Sequence, residues 1–420
     1  KTFIIECSKQ DSLNMNWIDK ILKKSTAIAA FNKEEDELIQ KLIDKAIELH
    51  IKTNVDLGII VAAFYDLAIS SVYYTNITNT GWLYCDLKKP KLILPFVNCC
   101  PEHALKGEFV FHKSSKPTSA KIGQATTRIL LLFYRELFKR FGKNIEVLKA
   151  TEPADAIFYN PRERKVFLGE IKSSPLLTMA LAMECEPLTT YDNEGNIVFL
   201  NHQSINNPYV IHRNIDIMLP IKENGTWNVK YYGIGEKKSS DDELFAYIGI
   251  NALLDNEIFI QDYLNYWFVS FNAYCNKDES ENIFWLTNAC GKPSKLPSSW
   301  TGGVTCISDE KTSVGMDRTD DIKKGIYQVL KLGAEGKLKE SNWDCKVGIL
   351  SNIHPARHFN VYLKPIKDLI WTISSDKDVN FAKDLDPELP LYNLFDGIIT
   401  FTDNYIRDKW LSDNLRMITK

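Results

Sequence analysis

The spacing of apolar residues along the chain predicts several helices. Between Glu34 and His50, apolar side chains recur every three or four residues, the period of a helix with one buried face. The stretch Val55–Val72 is apolar on all sides, which is typical of a helix inside the core. Residues Ala120–Phe141 keep the helical period and are followed by Gly142, a common stop signal. Further helices are predicted at Leu176–Cys185, Asp255–Tyr274 and Asp320–Leu332.

Shorter apolar runs predict strands between these helices. Two of the runs, Ala154–Tyr159 and Lys165–Ile171, flank the polar segment Asn160–Arg164 and should form a hairpin. Between about residues 120 and 220 the order is helix, three strands, helix, strand, which indicates a mixed sheet flanked by helices. The other predicted strands are Ile145–Leu148, Asn214–Pro220, Cys345–Leu350 and Gly397–Phe401.

The predicted fold class is therefore α/β, with a mixed central sheet flanked by helices. A helical N-terminal region is expected over residues 1–105, a core over 106–225 and a mixed α/β region over 226–420. The chain contains no internal repeat and no long linker of low complexity. The last boundary therefore depends on the change of pattern alone.

The composition is that of an ordinary globular protein, with 420 residues of which 45% are hydrophobic and 25% charged. We expect a soluble cytoplasmic protein without membrane contact, because no secretory signal and no run of eighteen apolar residues is visible. The nine cysteines are odd in number and scattered, which favours reduced thiols. Cys99, Cys100 and His103 form the tightest Cys/His group. No paired Cys-x-x-Cys motif accompanies them, so buried thiols are favoured over a metal site.

Charge is distributed unevenly along the chain. The net charge is -3, which argues against a uniformly basic nucleic-acid-coating protein. Residues 106–172, however, carry fourteen Lys/Arg and seven Asp/Glu, a local net charge of +7, so the rest of the chain sums to -10. Chance clustering on a solvated face is the plain alternative to a surface that binds phosphates.

The same basic segment holds the most informative constellation of the sequence. Asp155 and Glu170 lie on the two strands of the predicted hairpin, so their carboxylates can converge at one end of the sheet. Lys172 shares a strand face with Glu170, whereas Ile171 points the other way. Two carboxylates and a backbone carbonyl suit Mg²⁺, and a neighbouring ammonium can stabilise negative charge on a phosphate. The alternative is a salt-bridged surface hairpin, because Glu-x-Lys alone is a weak signal.

The combination resembles the PD-(D/E)xK nuclease superfamily, and within it the type II restriction endonucleases. The resemblance depends on Pro153, Asp155, Glu170 and Lys172 and on the element order from about 120 to 220, roughly a quarter of the chain. The family pattern has Pro directly before Asp, whereas Ala154 intervenes here.

The resemblance implies hydrolysis of DNA phosphodiesters by water with Mg²⁺ and without a covalent intermediate. It implies that Asp155 and Glu170, with the carbonyl of Ile171, are metal ligands and that Lys172 is the catalytic lysine. Members often carry another acid on the preceding helix, for which Glu136 is the candidate. On this interpretation residues 106–225 are the nuclease core, and residues 226–420 help to recognise DNA.

The expected partners are double-stranded DNA, a second copy of the chain in a homodimer and a cognate DNA methyltransferase in a prokaryotic cytoplasm. A non-specific or repair/recombination nuclease and a non-catalytic DNA-binding protein remain the alternatives. The sequence contains no P-loop, no dinucleotide fingerprint and no Gly-x-Ser-x-Gly elbow, so it does not indicate a motor-coupled enzyme. Candidate DNA-binding residues are Lys113, Lys116, Lys121, Lys311, Arg318 and Lys323.

Two other motifs compete for the site. Asp309 and Lys311 follow the strand-like run Gly303–Ile307, but residues 285–300 contain no acid that could act as a partner. His354 and His358 have a spacing that could bind metal on a helix, yet Pro355 makes a helix unfavourable. A surface loop is therefore favoured for the histidines, and Asp309 and Lys311 are expected either to contact DNA or simply to lie on the surface.

Overall fold

The computed structural model describes most of the chain, in eight stretches of residues. These are residues 16–150, 152–200, 203–205, 208–278, 280–289, 314–337, 342–373 and 386–418. The predicted strand Gly303–Ile307 and the residues Asp309 and Lys311 lie outside them.

The helices form where the apolar periodicity predicts them, with one exception given below. Asn32 and Asn256 accept hydrogen bonds from the first turns of the helices that follow them, which fixes where those helices begin. Asn54 ends its helix in the left-handed conformation with a φ of 57°. The α-helices are α1 (Trp17–Lys24), α2 (Lys33–Thr53), α3 (Leu57–Thr75), α4 (Pro101–Leu105), α5 (Ser119–Arg140), α6 (Phe245–Leu253), α7 (Glu257–Asn276), α8 (Thr319–Gly336) and α9 (Lys409–Leu415).

The strands include, in part or in full, the six predicted ones that lie among the described residues, together with several that the pattern did not predict. Most of the additional strands are only two to four residues long, too short for a visible alternation. The strands are β1 (Thr26–Ala27), β2 (Leu83–Cys85), β3 (Lys91–Leu94), β4 (Glu146–Lys149), β5 (Ala156–Asn160), β6 (Lys165–Ile171), β7 (Leu181–Glu184), β8 (Thr189–Tyr191), β9 (Ile197–Phe199), β10 (Gln203–Ser204), β11 (Asn214–Glu223), β12 (Thr226–Glu236), β13 (Asp344–Leu350), β14 (Ile370–Trp371), β15 (Tyr392–Asn393), β16 (Gly397–Ile399) and β17 (Tyr405–Ile406).

The fold class is mixed α/β, as predicted. The central sheet has the strand order β1-β4-β5-β6-β13-β16-β17. β4, β5 and β6 are antiparallel to one another, whereas β6, β13 and β16 run parallel. Parallel neighbours need a long connection, and here the chain between β6 and β13 contains four of the six strands of a second sheet and the helices α6, α7 and α8.

The second sheet is antiparallel and contains a strand that we expected in the central sheet. Its order is β10-β2-β3-β7-β11-β12. The predicted strand at Asn214–Pro220 forms as β11, but it pairs with β7 and β12 rather than with the hairpin of Asp155 and Glu170. Central strands therefore come from residues 26–171 and 344–406, on both sides of the boundary drawn near 225.

The predicted helix at Leu176–Cys185 is wrong. Residues Leu181–Glu184 form β7, which pairs with β3 and β11 in the second sheet. Leu176 to Met183 is an apolar run interrupted only by Thr178, and such a run fits a buried strand as well as a buried helix. A strand is favoured here because both of its faces are buried. Leu181 and Met183 pack in one hydrophobic core, and Ala182 packs in another.

Apolar layers cover both faces of the central sheet. Phe158 and Phe167 face α5, where the rings of Tyr134 and Phe138 lie 5.1 and 5.2 Å from that of Phe158. On the opposite face, Leu168 packs in a core with side chains of α8 and α1, as expected for a strand covered on both sides. β6 is therefore a rigid central element, and its last residues are held from both faces.

The N-terminal region is largely helical, as expected, although β2 and β3 also belong to it. Among the described residues, α3 is the helix that is long and apolar enough to cross a membrane by length and composition. It is buried within the protein over nearly its whole length, and its fully buried Asp66 and Ser70 face other protein groups. Core burial therefore explains its apolar character.

Candidate active site

The hairpin of β5 and β6 brings Asp155 and Glu170 together. Asp155 directly precedes β5, and Ala156 is opposite Gly169, so the register places Asp155 beside Glu170. The N–H of Asp155 donates to the carbonyl of Gly169 at 3.0 Å. The N–H of Ile171 donates to Oδ2 of Asp155 at 2.9 Å, which fixes the carboxylate against the end of β6. The two acids therefore converge, as the sequence predicts.

Lys172 completes the group from the end of the same strand. Its ammonium forms an ion pair with Oε1 of Glu170 and lies 3.3 Å from the carbonyl oxygen of Ile171. The backbone N–H of Lys172 donates to the carbonyl of Leu350 on β13 at 3.0 Å. Glu170 is 7% exposed and Lys172 is half-buried, so the pair lies at the margin of the core rather than on an open surface.

The electrostatics of Glu170 indicate an incomplete charge balance. Burial, followed by the negative charge of Asp155, raises the pKa of Glu170 to about 7, although Lys172 opposes both effects. One ammonium thus does not balance two carboxylates at this position. A divalent cation would relieve the repulsion, and two carboxylates with the carbonyl of Ile171 are the oxygen donors that Mg²⁺ prefers. The residues present therefore fit such a metal.

A cleft of about 330 Å³ opens beside Lys172. Its walls are the start of α5, the segment after β6 and the start of α8, and they include Lys116, Arg318 and Lys324. Asp321, which lies 3.9 Å from Arg318, is the acidic side chain of this lining. Cations therefore outnumber acids in the cleft, which suits a ligand that carries phosphates.

Helix α8 approaches the site closely because of a glycine. A Cβ added at Gly325 would lie 3.2 Å from Cδ1 of Ile349 and 3.9 Å from Cγ of Lys172. The helix thus rests against the stem of the lysine and places Arg318 and Lys324 at the same cleft. Sequence spacing alone could not show this contact, since α8 is about 150 residues away from β6 in the chain.

A second cavity of about 590 Å³ holds three of the predicted DNA-binding lysines. Lys113, Lys116 and Lys121 all line it, together with hydroxyl groups that include Thr78 and Ser115. Lys116 also lines the cleft beside Lys172, so the two cavities adjoin. The structure thus places Lys113, Lys116, Lys121 and Arg318 around one connected surface.

Two other predicted site residues lie elsewhere. Glu136, the candidate additional acid, is buried in ion pairs with Arg135 at 2.9 Å and Arg140 at 3.3 Å. These contacts account for its charge through packing on α5. The ammonium of Lys323 lies 5.9 Å from the ring centroid of Tyr362, and Lys323 does not line the cleft.

The two histidines after β13 have acidic partners of their own. Nδ1 of His358 lies 2.7 Å from Oδ1 of the buried Asp317, which also accepts hydrogen bonds from the backbone N–H groups of Arg357 and His358. Nδ1 of His354 lies 3.6 Å from Asp403. Among the described residues, no group of three metal-binding side chains includes either histidine.

Sequence reasoning missed the residues that hold the segment after Lys172. Ser174 and Asn352 exchange two hydrogen bonds, of 3.1 Å from the N–H of Ser174 and 2.8 Å from Nδ2 of Asn352. Asp66 accepts from the N–H of Leu177 at 2.9 Å and from Nε1 of Trp267 at 2.8 Å. An acid within the apolar helix α3 was the available signal, because a buried carboxyl group needs partners.

Comparisons of the chain with protein families, curated proteins and solved structures find no match. The function proposed below is inferred from the residues of the site and their surroundings.

Proposed function

We propose that this protein is a Mg²⁺-dependent deoxyribonuclease of the type II restriction endonuclease class. It hydrolyses phosphodiester bonds of double-stranded DNA at a specific short sequence. The observation that supports this best is the convergence of Asp155, Glu170 and Lys172 at the end of β6, beside a basic cleft. The repulsion that raises the pKa of Glu170 adds a reason for a cation at that point.

Asp155, Glu170 and the carbonyl of Ile171 would hold the metal. When bound, Mg²⁺ supplies Lewis acidity, which activates water and balances charge on the scissile phosphate. Lys172 places its ammonium where negative charge develops as the phosphate becomes five-coordinate. The hydrogen bonds to Gly169 and Leu350 keep Asp155 and Lys172 aligned with the sheet, so little reorganisation is needed during the reaction.

The DNA backbone would lie along the connected basic surface. Lys116, Arg318 and Lys324 would contact phosphates next to Lys172, and Lys113 and Lys121 would extend the contact on the other side of Lys116. Contacts to phosphates position a duplex but do not read its sequence, so base recognition falls to other side chains. The fit of this surface to DNA is part of the proposal.

The remaining parts of the proposal follow from the restriction class. Cutting both strands of a palindromic site calls for two active sites, which a homodimer provides. The host DNA would need protection by a cognate DNA methyltransferase, in the cytoplasm of a prokaryotic cell. A non-specific or repair/recombination nuclease and a non-catalytic DNA-binding protein are the other outcomes that the experiment below distinguishes.

The decisive experiment is incubation of purified protein with plasmid DNA and Mg²⁺. We expect discrete fragments, which require Mg²⁺ and disappear in Asp155→Asn and Lys172→Met. Lys165→Met is the matched control, because Lys165 begins the strand β6 whose other end carries the site, roughly 20 Å away at 3.3 Å per residue. It should cut like the unaltered protein.

Other results would replace the proposal. A smear would indicate a non-specific nuclease, and intact plasmid with retained binding would indicate a DNA-binding protein. Cutting that survives in both Asp155→Asn and Lys172→Met would place the active site elsewhere. Asp309 and Lys311, which lie outside the described residues, would then be substituted next.

A further inference from the structure

The second sheet carries a separate cluster of sulfur and nitrogen donors. Cys85 is the last residue of β2, whereas Cys100 and His103 lie at the start and within α4. Nδ1 of His103 lies 3.4 Å from Sγ of Cys100 and 3.9 Å from Sγ of Cys85. One ligand atom from each of the three residues lies within 4.8 Å of the other two. The cluster joins Cys85 to residues that lie fifteen and eighteen positions later in the chain.

These distances match those between the ligands of a tetrahedral zinc ion. Zinc bonds of about 2.3 Å to sulfur and about 2.0–2.1 Å to nitrogen place a sulfur and a nitrogen ligand about 3.6 Å apart. The two measured separations lie on either side of that value. The three donors therefore need only small adjustments to share one ion.

The surroundings of the cluster also suit a buried cation. Cys85 and Cys100 are fully buried, and two thiolates would balance the charge of one Zn²⁺. The neighbouring Glu102 already has cationic and hydroxyl partners of its own. Lys91 donates to its Oε2 at 2.9 Å, and the hydroxyl of Tyr231 donates to its Oε1 at 2.5 Å. The metal and its two thiolates would thus add no net charge to this core.

We propose that Cys85, Cys100 and His103 bind a zinc ion that fastens α4 to β2. The site does not depend on the proposed nuclease activity, because Cys85 belongs to the second sheet and Cys100 and His103 to α4 with its N-cap, and none of them to the central sheet. The fourth coordination position of the zinc ion would be filled by a water molecule or by Glu102, whose Oε2 lies 3.8 Å from Sγ of Cys85. A cavity of about 270 Å³ lined by Lys91, Glu102 and Tyr231 reaches Glu102 on this side of the cluster.

The proposed role of the ion is structural. α4 has five residues, and a helix this short has little stability of its own. Fixing Cys100 and His103 to Cys85 would hold this turn against the sheet, as structural zinc does in small folds. Removal of the ion should therefore lower the melting temperature of the protein.

The test measures bound metal and its ligands directly. Protein purified without a metal-affinity step should contain about one zinc ion per chain by elemental analysis. Cobalt should replace the zinc and give an intense near-ultraviolet band, which arises from charge transfer between thiolate and cobalt. The cobalt experiment is performed on Asp155→Asn, so that the carboxylate site does not take up the ion. Oxygen ligands would in any case give no thiolate band.

Matched cysteine variants identify the ligands. Cys85→Ser and Cys100→Ser should each retain less than about a tenth of the zinc after dialysis, as expected when a ligand is lost. Cys99→Ser is the control, because Cys99 is adjacent and buried but directs its Sγ to the carbonyl of Trp285 at 3.2 Å. It should keep the metal.

Three results would overturn the proposal. They are a chain without zinc that gives no thiolate band, a band that persists in Cys100→Ser, and a chain whose mass shows a Cys85–Cys100 disulfide in place of metal. If the cysteine variants fail to fold, the cobalt spectrum of the chain with all its cysteines still shows whether thiolates bind the metal.

Discussion

The carboxyl group of Glu170 is buried between the negative charge of Asp155 and the positive charge of Lys172. Burial and Asp155 raise its pKa to about 7, so near neutral pH a large fraction of the protein carries the protonated acid. A protonated carboxyl group is a poor metal ligand, and proton and Mg²⁺ therefore compete for the same oxygen atoms. This competition gives the candidate site a pH dependence that can be measured.

We predict that the pH midpoint of DNA cleavage depends on the Mg²⁺ concentration. Activity should rise with pH through about 7 when Mg²⁺ is scarce, because deprotonation of Glu170 permits binding. Once Mg²⁺ exceeds its dissociation constant, each further tenfold increase should lower the midpoint by up to about one pH unit, by mass action. The measurement is the initial rate of plasmid cleavage against pH at several Mg²⁺ concentrations. A midpoint that stays constant would exclude competition at Glu170.

Asp66 gives a second titration, which concerns stability rather than activity. Burial raises its pKa to about 8, whereas an unfolded chain would leave the group near its ordinary value of about 4. The folded state therefore binds the proton more tightly, so its stability falls as pH rises from about 4 to about 8.

We predict that Asp66→Asn removes this loss of folding stability at higher pH. Asparagine keeps an oxygen that can accept from Leu177 and Trp267 but cannot ionise. The free energy of unfolding of the variant, relative to the unaltered protein, should increase between pH 4 and 8 and then level off. Urea unfolding at several pH values measures it. Asp413→Asn, a change at an exposed acid on α9, should show no such trend. If both variants behaved alike, the buried carboxyl group of Asp66 would not be the source of the pH-dependent stability.

At the scale of the elements, β13 is the strand that joins the two halves of the central sheet. It lies between β6 and β16, and Gly348 is paired with Gly169 on one side and with Gly397 on the other. A Cβ added at Gly348 would lie only 2.0 Å from the carbonyl oxygen of Gly397. The close approach of these strands thus requires glycine at this position.

We predict that Gly348→Ala destabilises the protein by about 1–3 kcal/mol or more, because backbone atoms must move apart. Gly123→Ala on α5 is the matched control, since nothing lies within 4 Å of the added Cβ. It should stabilise the helix by about 0.5–1 kcal/mol. Chemical denaturation of both variants gives the comparison. Equal stabilities would mean that β13 and β16 can separate without cost.

At the scale of the whole molecule, the central sheet depends on residues far apart in the chain. β6 reaches its parallel neighbour β13 only after more than 170 residues, which include four of the six strands of the second sheet and the helices α6, α7 and α8. About 150 to 180 residues thus separate Glu170 from helix α8 and strand β13, which support the site. The candidate site is therefore a product of the entire fold.

We predict that a fragment of residues 106–225 does not fold alone. It contains Asp155, Glu170 and Lys172, but it lacks β13 and leaves β6 with one unpaired edge and an exposed apolar face. Circular dichroism and urea titration should show no cooperative unfolding, whereas the full chain should unfold cooperatively. A cooperative transition in the fragment would show that this segment is an independent domain.

The residues of the candidate site could be predicted from the sequence more fully than the central sheet that surrounds them. Asp155, Glu170 and Lys172 could be located because they lie on adjacent strands joined by a short turn, where local pattern and register carry the information. Leu176–Cys185 was assigned to a helix because a nearly continuous apolar run has no period that separates strand from helix. The sequence analysis did not group Cys85 with Cys100 and His103, because nothing in their spacing indicates that the fold brings α4 beside the end of β2.

The sequence by itself determined the five long helices α2, α3, α5, α7 and α8, the hairpin and the convergence of the two acids with Lys172. Each of these depends on residues that are close in the chain, whose periodicity and turn chemistry act locally. Three other features were decided only by the tertiary structure. Arg318 and Lys324, at the start of α8, line the cleft, and Glu136 forms ion pairs with Arg135 and Arg140. Strand β11 belongs to the second sheet rather than to the central one. Those contacts join distant segments, and their energies arise from burial that no local pattern records.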